Sequence, residues 1–200
     1  DRAGNLGWLK PYVDGRSTWT VGVALPKGTG RNAEPSKLTL RSNLVGSALE
    51  LPAPLRKAAS VALPTTVEAD LPMGEGEVRV VLGNIAALRA RSRGNQTGLR
   101  VVLGSNHVDE APPASGLVAT GTAGTLDVVD WIGLAYAGGD SDDKGGGLAL
   151  RRVDLRADRL ALLGGVFPDA RVQMSPGANG SNVVVTGAAL AGNVTVPDAK

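Results

Sequence analysis

The residues whose types could support chemistry are few in this chain, and they are scattered. The single histidine, His107, lies in a polar stretch shortly before Asp109 and Glu110. An imidazole beside carboxylates can act as a general base or hold a metal ion. The stretch runs into two prolines and offers neither a second histidine nor a serine on a nucleophile-elbow motif. We therefore expect an exposed loop here, with no catalytic residue and no metal site.

A second candidate is the acidic segment from Asp140 to Gly145, which superficially resembles a calcium-binding loop. Such a loop needs oxygen ligands at its first, third and fifth positions and a bidentate glutamate at its twelfth. Here the fifth position is Lys144 and the twelfth is Arg151, and both would repel the ion. The chain also has no cysteine, which excludes thiolate ligands, disulfides and cysteine nucleophiles. No cofactor is predicted.

The three tryptophans could form a stacking platform for a sugar. Trp131 has Ile132 and Leu134 beside it at helical spacing, so a position in the core is the favoured interpretation. Trp8 and Trp19 leave both interpretations open, with core packing favoured. A sugar-binding β-domain therefore remains a weaker alternative.

Charge gives no reason to expect a nucleic-acid partner. Lysine and arginine total 21 against 19 aspartate and glutamate, and aromatic residues make up only 3% of the chain. Nucleic-acid binding needs clustered cations together with stacking aromatics. The one dense basic run, Arg89, Arg91 and Arg93, has the alternation of a solvated strand face.

The elements that would position these residues are mostly short strands. The chain has 28 glycines and 12 prolines, which punctuate runs rich in valine, leucine and threonine, as in an all-β meander or sandwich. Strands are predicted at residues 19–25, 37–44, 47–51, 65–71, 77–82, 86–91, 99–103, 116–122, 153–163, 166–174, 182–187 and 192–196. One helix is predicted at about residues 127–137, where apolar residues follow a helical period.

Alternation within these strands predicts one apolar face and one wet face, as in an antiparallel sheet covered on a single side. Val78, Val80 and Leu82 oppose polar neighbours on the strand at 77–82, and in the strand at 166–174 Val166 is placed on the apolar side with Phe167 opposite. Residues 55–59, bracketed by prolines, are predicted to form one or two helical turns.

Three stretches carry a resemblance to a known family. The first spans Leu40–Leu44, Leu49–Leu55 with Lys57 and Ala58, and Ala62–Pro64; the second is Leu126, Asp127 and Trp131; the third includes Phe167–Asp169 and Ala189–Pro197. Together they resemble the YhdP family of Gram-negative envelope proteins, relatives of AsmA and TamB. The motif positions taken as structural are Leu51, Pro52, Pro54, Leu55, Pro64, Trp131, Phe167 and Gly192.

The resemblance implies a non-catalytic protein whose long curved sheet shelters phospholipid acyl chains between the inner and outer membranes. It also implies that residues 1–200 are one internal, periplasmic fragment of an inner-membrane-anchored protein, with a possible sub-boundary at 138–147. The absence of an initiator methionine agrees with a fragment, and the longest apolar run, Leu160–Phe167, is far shorter than the ~20 residues of a membrane span.

Which strand face would line a groove follows only from alternation. The lining predicted in this way is Leu38, Leu40, Val67, Val78, Val80, Leu82, Leu99, Val101 and Leu103. The small residues Ala69, Ala119 and Gly121 would leave room for acyl chains. The same pattern would also serve a closed β-sandwich that binds another envelope protein, because alternation does not reveal what covers a face.

Overall fold

The structure, a computed structural model, describes residues 11–25, 35–72, 76–94, 96–131, 150–177 and 180–196. Its strands are β1 (Val13–Gly15), β2 (Thr20–Ala24), β3 (Lys37–Ser42), β4 (Ser47–Leu49), β5 (Thr65–Asp70), β6 (Glu77–Leu82), β7 (Ala86–Arg93), β8 (Gln96–Leu103), β9 (Gly116–Asp127), β10 (Leu150–Leu162), β11 (Gly165–Gly177), β12 (Gly180–Thr186) and β13 (Ala191–Val196). Residues 128–131 are helical. The rest of the helix predicted at 127–137 lies outside the described residues, as does the predicted sub-boundary at 138–147.

Eleven strands form one open sheet in the order β13-β12-β11-β10-β9-β8-β7-β6-β5-β3-β2. β1 and β4 form a separate two-stranded sheet. The mainly-β prediction is confirmed, although the sheet is mixed, because β9 runs parallel to both β8 and β10. Parallel neighbours need a long crossover between them. Residues 104–115 form that crossover from β8 to β9. If a tight turn joined the two strands instead, they would be antiparallel.

The sheet has one apolar face and one polar face. Residues paired across neighbouring strands project from the same side. The pairings therefore place Val78 and Val80 on the face that we call the apolar face, and Glu77, Arg79 and their cross-strand partners on the opposite, polar face. The division of the strand at 77–82 that alternation predicted is confirmed.

Alternation is interrupted at the start of β10, where the pairing with β9 shifts between Leu150 and Arg152, and again in the middle of β10 and β11. Asp169 has a φ of 48°. The pair that it would form with Asp158 is absent from the otherwise continuous series of pairs between β10 and β11. Ala157 and Leu160, three positions apart, are consequently both buried. The predicted sides of Val166 and Phe167 are therefore wrong: Val166 is 65% exposed, whereas Phe167 packs against the core.

Residues 43–64 and β1 form a small second layer that we call the cap. The helical turns predicted at 55–59 are wrong, because this segment forms bends and turns around a single β-bridge at Lys57. Lys57 forms a bridge with Leu49, and the two residues exchange both backbone hydrogen bonds, at 2.8 and 2.9 Å. Leu44, Leu49 and Leu63 form the core of the cap and pack against Leu82 and Ile85 of the main sheet.

The main core lies on the apolar face, towards the end of the strands where the cap sits. It consists of Ala86, Leu103, Ala123, Leu126, Leu155, Ala157, Leu160, Ala170, Val172 and Val185. Leu55 of the cap, Trp131 of the 128–131 helix and Leu190 pack against this core and are themselves only partly buried. In the described part of the chain, the second layer is thus this cap and helix, with no second sheet of comparable size.

Candidate functional site

One apolar row crosses the whole sheet. The strand pairings align one residue from each of the eleven strands, and every one of these residues is apolar. We call this set the central row: Val21, Leu40, Val67, Val80, Leu88, Val101, Ala119, Val153, Met174, Val183 and Val194. At about 4.8 Å per strand step, it extends over roughly 48 Å.

Two further rows flank the central row on the apolar face. The outer row, on the side away from the cap, is Val23, Leu38, Ala69, Val78, Ala90, Leu99, Leu117 and Leu150. The covered row, on the cap side, is Leu82, Ala86, Leu103, Gly121, Leu155, Val172 and Val185. Consecutive rows are one i to i+2 step apart, about 6.8 Å.

Burial differs between the rows in a regular way. No residue of the central row is fully buried, and its two end members, Val21 and Val194, are 63% and 60% exposed. In the covered row, by contrast, Ala86, Leu103 and Val172 are at most 7% exposed. The apolar face therefore combines a partly accessible strip, which reaches both edge strands, with a strip that the cap and helix cover.

The cap reaches the helix through two polar contacts. The Trp131 indole Nε1–H donates to the carbonyl oxygen of Ala53 at 2.8 Å. Arg56 and Asp130 form an ion pair at 3.7 Å, with half or more of each side chain exposed. Since an exposed ion pair contributes little, the indole hydrogen bond and the packing of Leu55 are the main links.

A buried lysine fastens the base of the cap. Lys57 is 7% exposed, and its ammonium donates to four backbone carbonyl oxygens, those of Leu44, Ser47, Ala58 and Val61, at 2.6–3.0 Å. No carboxylate takes part. An ammonium has only three donor hydrogens, so these contacts share them, and together they replace the water that burial removes. Lys57 thereby joins the two ends of the cap loop.

The polar face is organised by a carboxylate among arginines. Glu77 accepts hydrogen bonds from Arg79, Arg89 and Arg91 at 2.7–2.9 Å. Burial alone would raise the pKa of the Glu77 carboxyl, but the three guanidinium hydrogen bonds outweigh it and lower that pKa to about 2. Arg79 and Arg89 lie directly opposite each other on β6 and β7, so this carboxylate also relieves their repulsion.

The crossover at 104–115 rests on the same polar face. Arg100 donates to the carbonyl oxygen of Ala111 at 2.9 Å and pairs with Glu110 at 2.8 Å. Gly98 lies beneath the crossover, since a Cβ at that position would overlap the carbonyl oxygen of Pro113. Farther along the sheet, Arg171 hydrogen-bonds Asp154 at 2.7 Å and lowers the pKa of that carboxyl.

The charged side chains of the sheet thus pair with one another on the polar face, whereas the three rows on the opposite face are apolar or glycine. A family model described as YhdP protein matches residues 3–200 of the chain. The chain belongs to the YhdP family. Comparison with curated proteins and with solved structures finds no match. Family membership associates the chain with the cell envelope and with lipid transport in general terms.

In this YhdP-family chain, all nine residues predicted to line a groove lie on the apolar face. Leu40, Val67, Val80 and Val101 belong to the central row, Leu38, Val78 and Leu99 to the outer row, and Leu82 and Leu103 to the covered row. The small residues Ala69, Ala119 and Gly121 lie on the same face. That these residues contact lipid stays a prediction.

The family-motif positions of the cap concentrate where it meets the sheet. Leu51 and Pro52 are buried, Leu55 packs on the main core, and the Pro64 carbonyl oxygen accepts the Gly83 N–H at 2.7 Å. Pro54 is half-buried beside Leu55. The remaining motif residues are Trp131 and Phe167, which pack on the main core, and Gly192, which lies on β13 with nothing near its missing side chain.

The candidates for chemistry do not come together. His107 lies on the exposed crossover, with its Nε2 3.5 Å from Asp109. The described residues include no group of three histidine, aspartate or glutamate side chains that could hold a metal ion. Trp19 is 40% exposed, so the core position favoured for it is wrong. Trp8 and the acidic segment at 140–145 lie outside the described residues.

The rows also contain residues that sequence analysis missed. Val21, Leu88, Val153, Met174, Val183 and Val194 complete the central row, and the alternation of their own strands carried the signal. The cage around Lys57 had no such signal, because a lysine between prolines gives no indication of burial. Among the residues that the structure describes, no helix is long and apolar enough to cross a bilayer.

Proposed function

We propose that this chain is a segment of an inner-membrane-anchored periplasmic bridge that shelters phospholipid acyl chains as they move between the inner and outer membranes. The observation that carries the proposal is the central row, which is unbroken across eleven strands and fully buried at none of them. Family membership supplies the context of the cell envelope.

The physical requirements of an acyl chain match the apolar face. A hydrocarbon tail needs continuous apolar contact and no directional bonds, and each sheltered methylene contributes about 0.8 kcal/mol. A strip of roughly 48 Å exceeds the length of a single tail, so tails could follow one another along the row. Such transport needs no bond-making residue, and the proposal includes no enzymatic step.

The second candidate is a non-catalytic structural or interaction module of the envelope. The observation that favours it is the exposure of apolar side chains on the two edge strands, with Val23 of β2 at 58% and Val194 of β13 at 60%. An edge strand presents unpaired backbone groups to which a partner strand can add. In that case the apolar face would pack against protein rather than lipid.

The test compares two neighbouring valines of β6. Val80 belongs to the central row, whereas Val81 projects from the polar face, and both are half-buried. The protein is purified without detergent, its bound lipid is extracted and identified by mass spectrometry, and binding of a fluorescent phospholipid is titrated. We expect Val80→Glu to lose most bound phospholipid and the control Val81→Glu to retain it.

Two results would overturn the proposal. One is a folded wild-type protein that carries no phospholipid and takes up none from vesicles. The other is equal lipid binding by both glutamate variants while circular dichroism shows both folded. Capture of a partner strand by β2 or β13, without lipid, would instead favour the interaction module.

A further inference from the structure

We infer that the covered row is a second acyl-chain lane, closed by a movable part of the cap, and that lipids with two tails need it open. This inference rests on the proposed function, because it concerns the same apolar face. We call residues 52–56 of the cap the flap. The flap and the 128–131 helix together form what we call the wall, the part of the covering layer that packs on the main core over the covered row.

The covered row has the composition and the spacing of a lane. Its members from β6 to β12 are all apolar or glycine, and they run beside the central row without a break. The lateral step between the two rows is about 6.8 Å, enough to lay two tails side by side on neighbouring rows. Only the covering layer distinguishes the covered row from the central row.

That covering layer is thin. The side chains that contribute to it include Leu55, Val128, Trp131 and Leu190, and all of them are only partly buried themselves. Among the described residues, the polar contacts between the flap and the helix are one hydrogen bond, from Trp131 to Ala53, and one exposed ion pair, between Arg56 and Asp130, and Leu55 adds apolar packing against the main core. Separating the flap from the helix therefore breaks few polar interactions and exposes the partly buried side chain of Leu55.

The base of the cap, by contrast, is firmly held. The Lys57 ammonium, the Leu49–Lys57 bridge and the hydrogen bond from Leu63 N–H to the Asn43 carbonyl oxygen fix both sides of the flap. Within the flap the one backbone hydrogen bond is the turn from Leu55 N–H to the Pro52 carbonyl oxygen. A flap that is pinned at its base and lightly held at its tip can swing without unfolding the cap.

Thiol labelling measures the opening directly, because the chain contains no cysteine of its own. Ala86→Cys reports on the covered row, and Ala90→Cys on the same strand reports on the outer row as its control. We expect Ala86→Cys to react at least tenfold more slowly than Ala90→Cys. Trp131→Phe keeps an aromatic side chain but removes the indole N–H and part of the packed ring, and should speed labelling at Ala86→Cys about threefold to tenfold while leaving Ala90→Cys unchanged.

Locking the wall tests its role in binding. Arg56→Cys and Asp130→Cys are joined by a short bismaleimide, and the uncrosslinked double variant is the control. Binding is then measured for a diacyl phospholipid and for the single-chain lysophospholipid with the same headgroup. We expect the locked protein to keep its affinity for the single-chain lipid and to lose at least tenfold in affinity for the diacyl lipid.

The outcomes separate this inference from the proposed function. Equal diacyl binding by locked and unlocked protein overturns the second lane and leaves the proposed function intact. Labelling of Ala86→Cys that Trp131→Phe does not change overturns the movable wall. If neither form binds either lipid, the proposed function fails and the lane fails with it, whatever the labelling shows about movement.

Discussion

Replacing Lys57 with methionine removes a buried ammonium while keeping a side chain of similar length. In the wild-type protein that ammonium donates to four carbonyl oxygens within 3.0 Å. Two of these oxygens keep another donor in the variant: Leu44 O accepts the Ser47 N–H, and Ala58 O accepts the Val61 N–H. The oxygen of Val61 belongs to a residue that is 53% exposed, so water can reach it.

The magnitude therefore depends mainly on one buried contact. Ser47 is 5% exposed, and its carbonyl oxygen makes the shortest of the four hydrogen bonds, at 2.6 Å. A hydrogen bond to a charged group contributes about 1.5–3 kcal/mol, and the other contacts add less. Methionine avoids the desolvation of a charge, which offsets part of this loss. Taking these contributions together, we expect Lys57→Met to lower the free energy of unfolding by about 2–4 kcal/mol.

The assay is urea and thermal unfolding, followed by circular dichroism and tryptophan fluorescence. For a chain of this length, 3 kcal/mol corresponds to a decrease in Tm of about 6–12 °C. The matched control is Lys37→Met, at an exposed lysine on the rim of the sheet, where we expect a change within about 0.5 kcal/mol. A change of less than 0.5 kcal/mol in Lys57→Met, or equal changes in both variants, would refute the argument that the carbonyl cage stabilises the cap.

Two further predictions concern the polar face. Because the folded-state pKa of Glu77, about 2, lies below its ordinary value, the stabilisation by its arginines is complete above about pH 5.5 and is lost as the pH falls towards 2. Because Arg79 and Arg91 are partly exposed, we expect Glu77→Gln to lower the free energy of unfolding by only about 1–2 kcal/mol at pH 7, and by little at pH 2. Urea unfolding at both pH values measures this, and an equal loss at both would contradict it. In the same assay at pH 7, Gly98→Ala should lower the free energy of unfolding by about 1–3 kcal/mol, because the new Cβ would overlap the crossover. The control Gly124→Ala, whose Cβ would have no neighbouring atom closer than 4.0 Å, should lower it by less. Equal effects of the two variants would refute the contact.

Alternation was sufficient to predict most strands and the division of their faces. The strand at 77–82 has the predicted bounds, and the apolar sides of its neighbours along the central row follow from the same rule. The rule failed at β11, where the backbone of Asp169 adopts a positive φ and shifts the alternation by one residue. A local backbone irregularity of this kind leaves the types of the neighbouring residues unchanged, so a reading of residue types could not detect it.

Contacts between distant segments were beyond the reach of the sequence. The segment at 55–59 has good local helix formers, yet pairing with Leu49 and burial of Lys57 favour an extended backbone there. Tertiary contacts override local propensity of this size. The parallel placement of β9 likewise depends on where the crossover at 104–115 packs, and that position depends on Arg100 and Gly98 of another strand.

The central row is maintained by strand register more than by the identity of any one side chain. Exchanging one of its valines for isoleucine or leucine would leave the line of apolar side chains continuous. Deleting Val101, however, would move Val102 into its place and turn Leu103, a residue of the main core, towards the polar face. Insertions and deletions should accordingly be tolerated in the turns and excluded from the strands, even where the inserted or deleted residue is itself apolar.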